Sequence, residues 1–265
     1  MERTGSPHAE GLTAVADAPV PDGAGASLAG ENIGVHFEGL RALDGVDVAL
    51  ARGEVLGLIG PNGAGKTTLI NALTGFQPPS TGRLLLDGRD VTRTPAHKLA
   101  RAGISRTFQS GRSFADLTVF ENVEVGAVGV GVRRQEARRR AREALAELRL
   151  LERADLLAGS LSSGEERRLQ VARAVAMRPR YLFLDEPAAG LDENESDELV
   201  LAIAGLPERL GCGVLVIEHD MRVIMGLCHR IQVLDHGVTI SIGTPQEVRA
   251  DPAVITAYLG AGRDG

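Results

Sequence analysis

Gly60-Pro61-Asn62-Gly63-Ala64-Gly65-Lys66-Thr67-Thr68 is the stretch whose reading decides the rest of the chain. It fits G-x-x-x-x-G-K-[ST] in full and directly follows the apolar run Val55-Leu56-Gly57-Leu58-Ile59. A strand entering a glycine-rich turn, with a helix to follow, is the context in which this pattern cradles phosphate. Glycines let successive backbone N–H groups converge on an anion without a Cβ in the way. A helix starting near Lys66 then adds the positive end of its dipole. The pattern assigns Lys66 to the β- and γ-phosphates and the Thr67 hydroxyl to Mg²⁺, so the expected ligand is a nucleoside triphosphate.

Working outward, Ile33-Gly34-Val35-His36-Phe37 and Val46-Asp47-Val48-Ala49-Leu50 read as two strands, punctuated by Gly39 and Gly45. On the other side, Lys66 to Leu73 reads as a helix stopped by Gly75. The turn Pro78-Pro79-Ser80-Thr81-Gly82 then leads into a strand, Arg83 to Leu86, closed by Asp87-Gly88. A short strand follows around Ile104 to Phe108, and residues 115–180 look predominantly helical. Within them Arg133 to Leu151 carries Ala144, Leu145, Leu148 and Leu151 at the spacing of one helix face. The last third alternates. Strand Tyr181–Leu184, a helix near Glu195–Leu210, strand Val214–Ile217, a helix near Met221–Leu227 and strand Ile231–Leu234 succeed one another. Strands separated by helices predict βαβ units and a parallel sheet. The expected architecture is therefore α/β, with a helical block inserted into the core.

Bulk properties narrow the partners. A net charge of -6 and 3% aromatic residues with no Trp give neither the electrostatic footprint nor the stacking platforms of a nucleic-acid binder. The arginines at 133, 134, 138, 139, 140 and 142 interleave with Glu136, Glu143 and Glu147, the pattern of a solvated helix face laced with i,i+4 pairs. Only Cys212 and Cys228 occur, without C-x-x-C spacing, which excludes a disulfide framework and a zinc site and suits a reducing cytosol. No apolar leader follows Met1, and no apolar run reaches the ~18 residues of a membrane span. The expectation is a soluble, cytoplasmic chain that reaches a membrane only through partners. Residues 1–27, rich in Ala, Gly, Pro and Asp, are expected to be a disordered extension.

Two acids end an apolar run in Tyr181-Leu182-Phe183-Leu184-Asp185-Glu186-Pro187. In parallel sheets ligands sit beyond the carboxyl ends of the strands. Asp185 is placed to hold Mg²⁺ through its hydration shell, and Glu186 to orient or deprotonate an attacking water. His219 follows a similar run, Val214 to Glu218, and could contact the γ-phosphate or the water. Gln109 is weaker by itself, a residue type that places water or senses Mg²⁺ in phosphoryl-transfer sites.

Leu161-Ser162-Ser163-Gly164-Glu165, followed by Glu166-Arg167-Arg168, closely resembles the L-S-G-G-Q signature of ATP-binding cassette (ABC) proteins. Ser163 stands for the first Gly and Glu165 for the Gln; Ser162 and Gly164 at a helix N-terminus suit phosphate. The resemblance spans roughly residues 30–260 and implies a P-loop NTPase (RecA-like) parallel-sheet core with an N-terminal antiparallel β subdomain and an inserted α-helical subdomain near 110–178. The cassette would occupy residues 28–265. It further implies ATP and Mg²⁺ as ligands, with Phe37 stacking on adenine and Gln109 in the loop that contacts Mg²⁺ and faces a membrane subunit. Ala189-Gly190-Leu191-Asp192 becomes the D-loop and His219 the switch histidine. In the family the signature turn of one subunit caps ATP held by the phosphate loop of another, so a second cassette is an implied partner.

Arg106-Thr107-Phe108-Gln109, Leu117 to Val123 and Glu186 to Leu191 look like the ATPases of branched-chain amino acid importers. The tail from Gly243-Thr244-Pro245 to Ala257-Tyr258-Leu259-Gly260 is similar to that group's C-terminal segment, placed here at about 237–261. That resemblance implies permease subunits, an extracytoplasmic solute-binding protein beyond them, and a peripheral position at the cytoplasmic face of the membrane. Urea, amide and lipopolysaccharide-export cassettes share parts of the pattern. Non-transport cassettes need coiled coils, zinc insertions or a second cassette in the same chain.

Overall fold

The computed structural model describes residues 27–107 and 113–260. Phe108, Gln109 and the expected extension, apart from Ser27, lie outside the described residues. The first half of the chain forms β1 (Ser27–Phe37), β2 (Leu40–Ala51), β3 (Val55–Ile59), α1 (Lys66–Leu73), β4 (Thr81–Leu86), β5 (Arg89–Asp90), α2 (Ala96–Arg101) and β6 (Ile104–Arg106). A helical block follows: α3 (Val119–Gly129), α4 (Arg134–Glu147) and α5 (Ser163–Ala176). The last part runs β7 (Tyr181–Asp185), α6 (Glu193–Ala204), α7 (Leu206–Leu210), β8 (Gly213–Ile217), α8 (Met221–Leu227), β9 (Arg230–Asp235), β10 (Val238–Gly243), α9 (Pro245–Ala250) and α10 (Pro252–Gly260).

Strands β3, β7 and β8 are buried along their whole length, as strands covered on both faces must be. They belong to a six-stranded sheet ordered β10-β9-β3-β8-β7-β6, parallel except for β10. Side chains alternate across it. Leu56, Leu58, Tyr181, Phe183, Leu215 and Ile217 join α1 and the antiparallel sheet β2-β1-β4-β5 in one core. Val55, Ile59, Leu182, Leu184, Val214 and Val216 join the helical block and α6 in the other. The α/β fold with an antiparallel subdomain and inserted helices is as expected.

Departures from the sequence reading have local causes. Helix α4 ends at Glu147 rather than Leu151. Arg149 takes a left-handed φ of 56°, its N–H reaches Ala146 O at 3.1 Å, and Leu150 N–H reaches Leu145 O at 2.7 Å. This is a Schellman stop with Arg where Gly is usual. Leu150 is therefore buried instead of Leu151, which is 49% exposed. The helix expected over 195–210 is two, because Pro207 has no N–H to continue the first. Gly45 sits inside β2 at φ 70° rather than ending it. The arginine-rich face of α4 is laced with acids as expected: Arg139 bonds Glu136 at 2.8 Å and Glu143 at 2.6 Å.

Among the described residues no helix is long and apolar enough to cross a membrane. Gly57 in β3 lets α8 pack closely, since a Cβ there would lie 2.8 Å from Cys228 Sγ and 3.3 Å from Ile224 Cδ1. Gly57→Ala is expected to cost about 1–3 kcal/mol by overpacking, read as a lowered urea midpoint. Cys228→Ala in the same chain should recover part of that loss, because it removes the colliding sulfur.

Candidate active site

Strand β3 lies between β8 and β9, and its exit turns straight into the glycine-rich loop. The turn is closed by backbone conformations only glycine takes easily: Gly60 has φ 148°, Gly63 81° and Gly65 101°. A Cβ on Gly60 would collide with the Leu234 carbonyl, and one on Gly65 would lie 2.7 Å from Ala42 O, whereas Gly63 faces open space. Helix α1 begins with no side-chain cap and no acid in its first turn. Helices α3, α5, α6 and α9, by contrast, carry capping boxes, and Asp220 caps α8. An uncapped helix start, with its N–H donors turned to a glycine-lined loop, fits an anion. Lys66 is half-buried and curls back, Nζ donating to Gly60 O at 2.7 Å and Pro61 O at 2.9 Å. Burial lowers the proton affinity of Lys66, while the charges of Glu186 and Asp185 oppose that shift. Thr67 and Thr68 follow in the first turn of α1, and Pro61, Asn62 and Ala64 complete the loop.

The acids arrive through strand register. Asp185 of β7 pairs with Ile217 of β8, and Leu58 of β3 pairs with the same Ile217. One sheet edge therefore presents the phosphate loop, Asp185-Glu186 and Glu218-His219 together. The Asp185 side chain is only 4% exposed, and its Oδ2 lies 3.4 Å from Arg106 Nη2. Burial raises the Asp185 carboxyl, and the Arg106 guanidinium is the chief opposing influence. Glu186 takes a left-handed φ of 49° and donates its N–H to Ile217 O at 3.0 Å. Such a turn in a non-glycine residue re-aims the side chain away from the strand and is characteristic of functional sites. His219 is 71% exposed at its side chain and stands beside buried Glu218. Phe37 ends β1 on the rim of the β1–β2 hairpin, 43% exposed, and the neighbouring Ala42 and Leu43 abut Gly65. Gln109 lies outside the described residues.

The signature residues form the start of α5, as their helix-capping character implies. Leu161 packs against the helical-block core. Ser162 is the N-cap, accepting from Glu165 N at 3.2 Å, and Glu165 Oε2 accepts from Ser162 N at 3.0 Å. Ser163 is the first helical residue and Gly164 the second. The substitution of Glu for Gln is electrically answered: Arg153 Nε bonds Glu165 Oε1 at 2.9 Å. The Glu165 carboxyl is held below its ordinary range, first by the Ser162 N–H. Asp192 caps α6, its Oδ1 accepting from Glu195 N at 2.9 Å. Outside the backbone bonds of α5, the hydrogen bonds of Ser162, Gly164 and Glu165 run to one another, to Arg153 and to Glu195, and none among the described residues runs to the phosphate loop.

Three residues that the sequence reading did not single out belong to the site. Arg106 bonds Asn71 Oδ1 at 2.6 Å behind Asp185 and lies over the Phe76 ring at 5.3 Å. Glu218, 2% exposed, accepts from Ala188 N at 2.7 Å and from His219 N at 3.3 Å, so one carboxylate joins the histidine to the D-loop stretch. Tyr258 lies on α10 with its phenol toward the backbone of Gly60, and Pro252, Ala253, Thr256 and Ala257 of that helix line a cavity with Pro61 to Ala64. Arg106 and Tyr258 sit far in sequence from the residues they approach. Only Glu218, an acid ending an apolar run, carried a visible signal.

The donor set fits Mg²⁺: a threonine hydroxyl and one buried carboxylate are hard oxygen ligands. Mg²⁺ uses few protein groups beside phosphates and water. Among the described residues no group of three or more acids, histidines or cysteines is arranged to hold a metal ion by itself. Arg106→Met is expected to cost about 3–5 kcal/mol, because it strands the buried Asp185 charge. Adding Asp185→Asn should restore most of that stability in chemical denaturation.

The chain matches the sequence pattern of the ABC transporter family over residues 43–189 and that of the branched-chain amino acid ATP-binding cassette transporter over residues 238–264. It is 43% identical to the high-affinity branched-chain amino acid transport ATP-binding protein BraF of Pseudomonas aeruginosa, covering 85% of this chain and 94% of that protein. It is 40% identical to the lipopolysaccharide export system ATP-binding protein LptB of Acidithiobacillus ferridurans, over 81% of this chain and 89% of that one. Among solved structures, the ADP conformation of an ATP-binding cassette of an ABC transporter superposes with a TM-score of 0.81 at 30% identity, covering 89% of this chain and 99% of that one. With its phosphate loop, strand-end carboxylates and signature turn in the family's order, the chain belongs to the ABC transporter family, as an ATP-hydrolysing cassette.

Proposed function

We propose that the chain powers an importer of branched-chain amino acids or related small solutes through partner permeases, at the cytoplasmic face of the membrane. The observation that carries this reading is the C-terminal segment, matched to the branched-chain cassettes over residues 238–264, whose helix α10 lines a cavity together with the phosphate loop. In this reading the permeases and an extracytoplasmic binding protein select the solute, and this subunit supplies the work.

The family resemblance implies the catalytic roles, and the geometry of the described residues supports them. Lys66 leaves the Gly60 and Pro61 carbonyls to neutralise the β- and γ-phosphates, while the uncapped start of α1 and the N–H groups of residues 60–68 hold them. Phe37 stacks on the adenine. Thr67 and Asp185, with Gln109, would hold Mg²⁺, which supplies positive charge against the phosphates. Glu186, re-aimed by its backbone turn, orients the attacking water and takes its proton. His219 stands on the exposed side of Glu218, free to reach the γ-phosphate. A second cassette completes the site with its own Leu161-to-Glu165 turn, and its D-loop Asp192 comes with it. A γ-phosphate touched by both subunits favours only the closed state, and hydrolysis reopens it. The loop at Gln109 passes that motion to the permease.

Glu186→Gln is expected to lower ATP turnover by about 10²–10⁴-fold, the span of a lost general base, while ATP-driven dimerisation persists. Normal steady-state phosphate release by this variant would remove Glu186 from the role. For the transport assignment, the measurement is ATP turnover with the cognate permeases in proteoliposomes. Stimulation by a leucine-loaded binding protein is expected. Stimulation by lipopolysaccharide alone would overturn the importer reading.

A further inference from the structure

Helix α5 begins at the turn that, in the proposed function, receives the γ-phosphate of the partner's ATP. Its donors are not vacant. The Gly164 N–H donates to Glu195 Oε1 at 3.2 Å, across 31 residues of sequence. Glu195 comes from the first turn of α6, just after the D-loop, and its other oxygen accepts from Asp192 N at 3.4 Å. One carboxylate thus joins the start of the signature helix to the start of the D-loop helix.

The contact is fitted rather than incidental. Gly164 is buried, and a Cβ there would lie 2.7 Å from Glu195 Oε1 and 2.8 Å from its Cδ. The carboxylate therefore lies flat on the glycine, in space a side chain would fill. The charges differ from those at Glu165, which Arg153 neutralises. Nearby Arg168 is engaged by Glu198 at 2.9 Å, and Arg167 bonds Ala189 O at 3.3 Å. Among the described residues no cation is ion-paired with Glu195. What holds the negative charge there is the positive end of α6, which carries it, together with that of α5, the same feature that would attract a phosphate.

We propose that Glu195 is an internal stand-in for the partner's γ-phosphate, an autoinhibitory contact that ATP must displace for two cassettes to close. In the open cassette its carboxylate satisfies the Gly164 N–H. On closure the incoming phosphate takes that donor, and Glu195 swings off the signature turn while the Glu195 N–H stays on the Asp192 cap. Because the same carboxylate touches the Asp192 backbone, its release loosens the D-loop at the moment the partner's nucleotide arrives. The inference rests on the proposed sharing of ATP between two signature turns and two phosphate loops.

Glu195→Gln separates charge from shape. The glutamine keeps the shape and one of the two acceptors, for Gly164 or for Asp192, but it no longer repels phosphate. In a Glu186→Gln background, the ATP concentration at half-dimerisation is read by light scattering. Adding Glu195→Gln should lower it about threefold, the scale of one charge at a helix terminus. The thermal unfolding midpoint should fall slightly, by the one lost acceptor, while ATP binding to the monomer at low protein concentration should not move. An unchanged or raised dimerisation midpoint would overturn the proposal and leave Glu195 as a structural brace. If Glu186→Gln alone fails to dimerise at any ATP concentration, the shared-site reading fails first, and this contact loses its meaning with it.

Discussion

Backbone N–H groups that must face negative charge shape this cassette more than any single side chain does. A helix start leaves donors that the helix itself cannot use. At α1 they are left without a capping side chain or an acid, and the glycines of residues 60–65 keep the approach open. At α5 the same kind of donors are filled by carboxylates of the chain, Glu165 on Ser162 and Glu195 on Gly164. One helix start is prepared for a ligand, and the other is closed until something more negative arrives. The difference lies in which neighbours are within reach, since the backbone chemistry is the same at both.

Around those donors, the parallel sheet acts as a positioning device. Strands β3, β7 and β8 run in one direction and in register, so the residues after each of them emerge at one edge. Burial of the strands fixes the edge, and the edge fixes the acids. The cost is that Asp185 and Glu218 sit where charge is poorly solvated, and both carboxyls are pushed up by burial. Arg106 offsets this for Asp185, and backbone N–H groups of Ala188 and His219 offset it for Glu218. The offsetting groups also tie the strand ends to α1 and to the D-loop stretch, so electrostatic relief and mechanical linkage come from the same contacts.

Much of this was legible in the residues. The phosphate loop declares itself because anion binding needs glycine and lysine at fixed spacing, and Tyr181 to Glu186 because a strand buried on both faces must be apolar until it ends. What was misread was local. Leu151 keeps helical spacing with Leu148, yet Arg149 ends the helix in a conformation that sequence patterns reserve for glycine. Arg106 and Tyr258 gave no signal, because their importance is a distance to Asp185 or Gly60 that no spacing along the chain encodes.

The sequence alone determined the fold class, the phosphate-binding chemistry and the family, since each depends on short-range patterns: period-two burial, glycine where φ is positive, and capping residues at helix starts. Tertiary structure decided how the charges are balanced. Glu165 reads from sequence as an added negative charge beside a nucleotide. In the folded chain Arg153 neutralises it, and Glu195, from another helix and without an ion pair among the described residues, lies on the Gly164 N–H instead. Electrostatics acts through space over a few ångströms, and only the folded chain sets which residues share them.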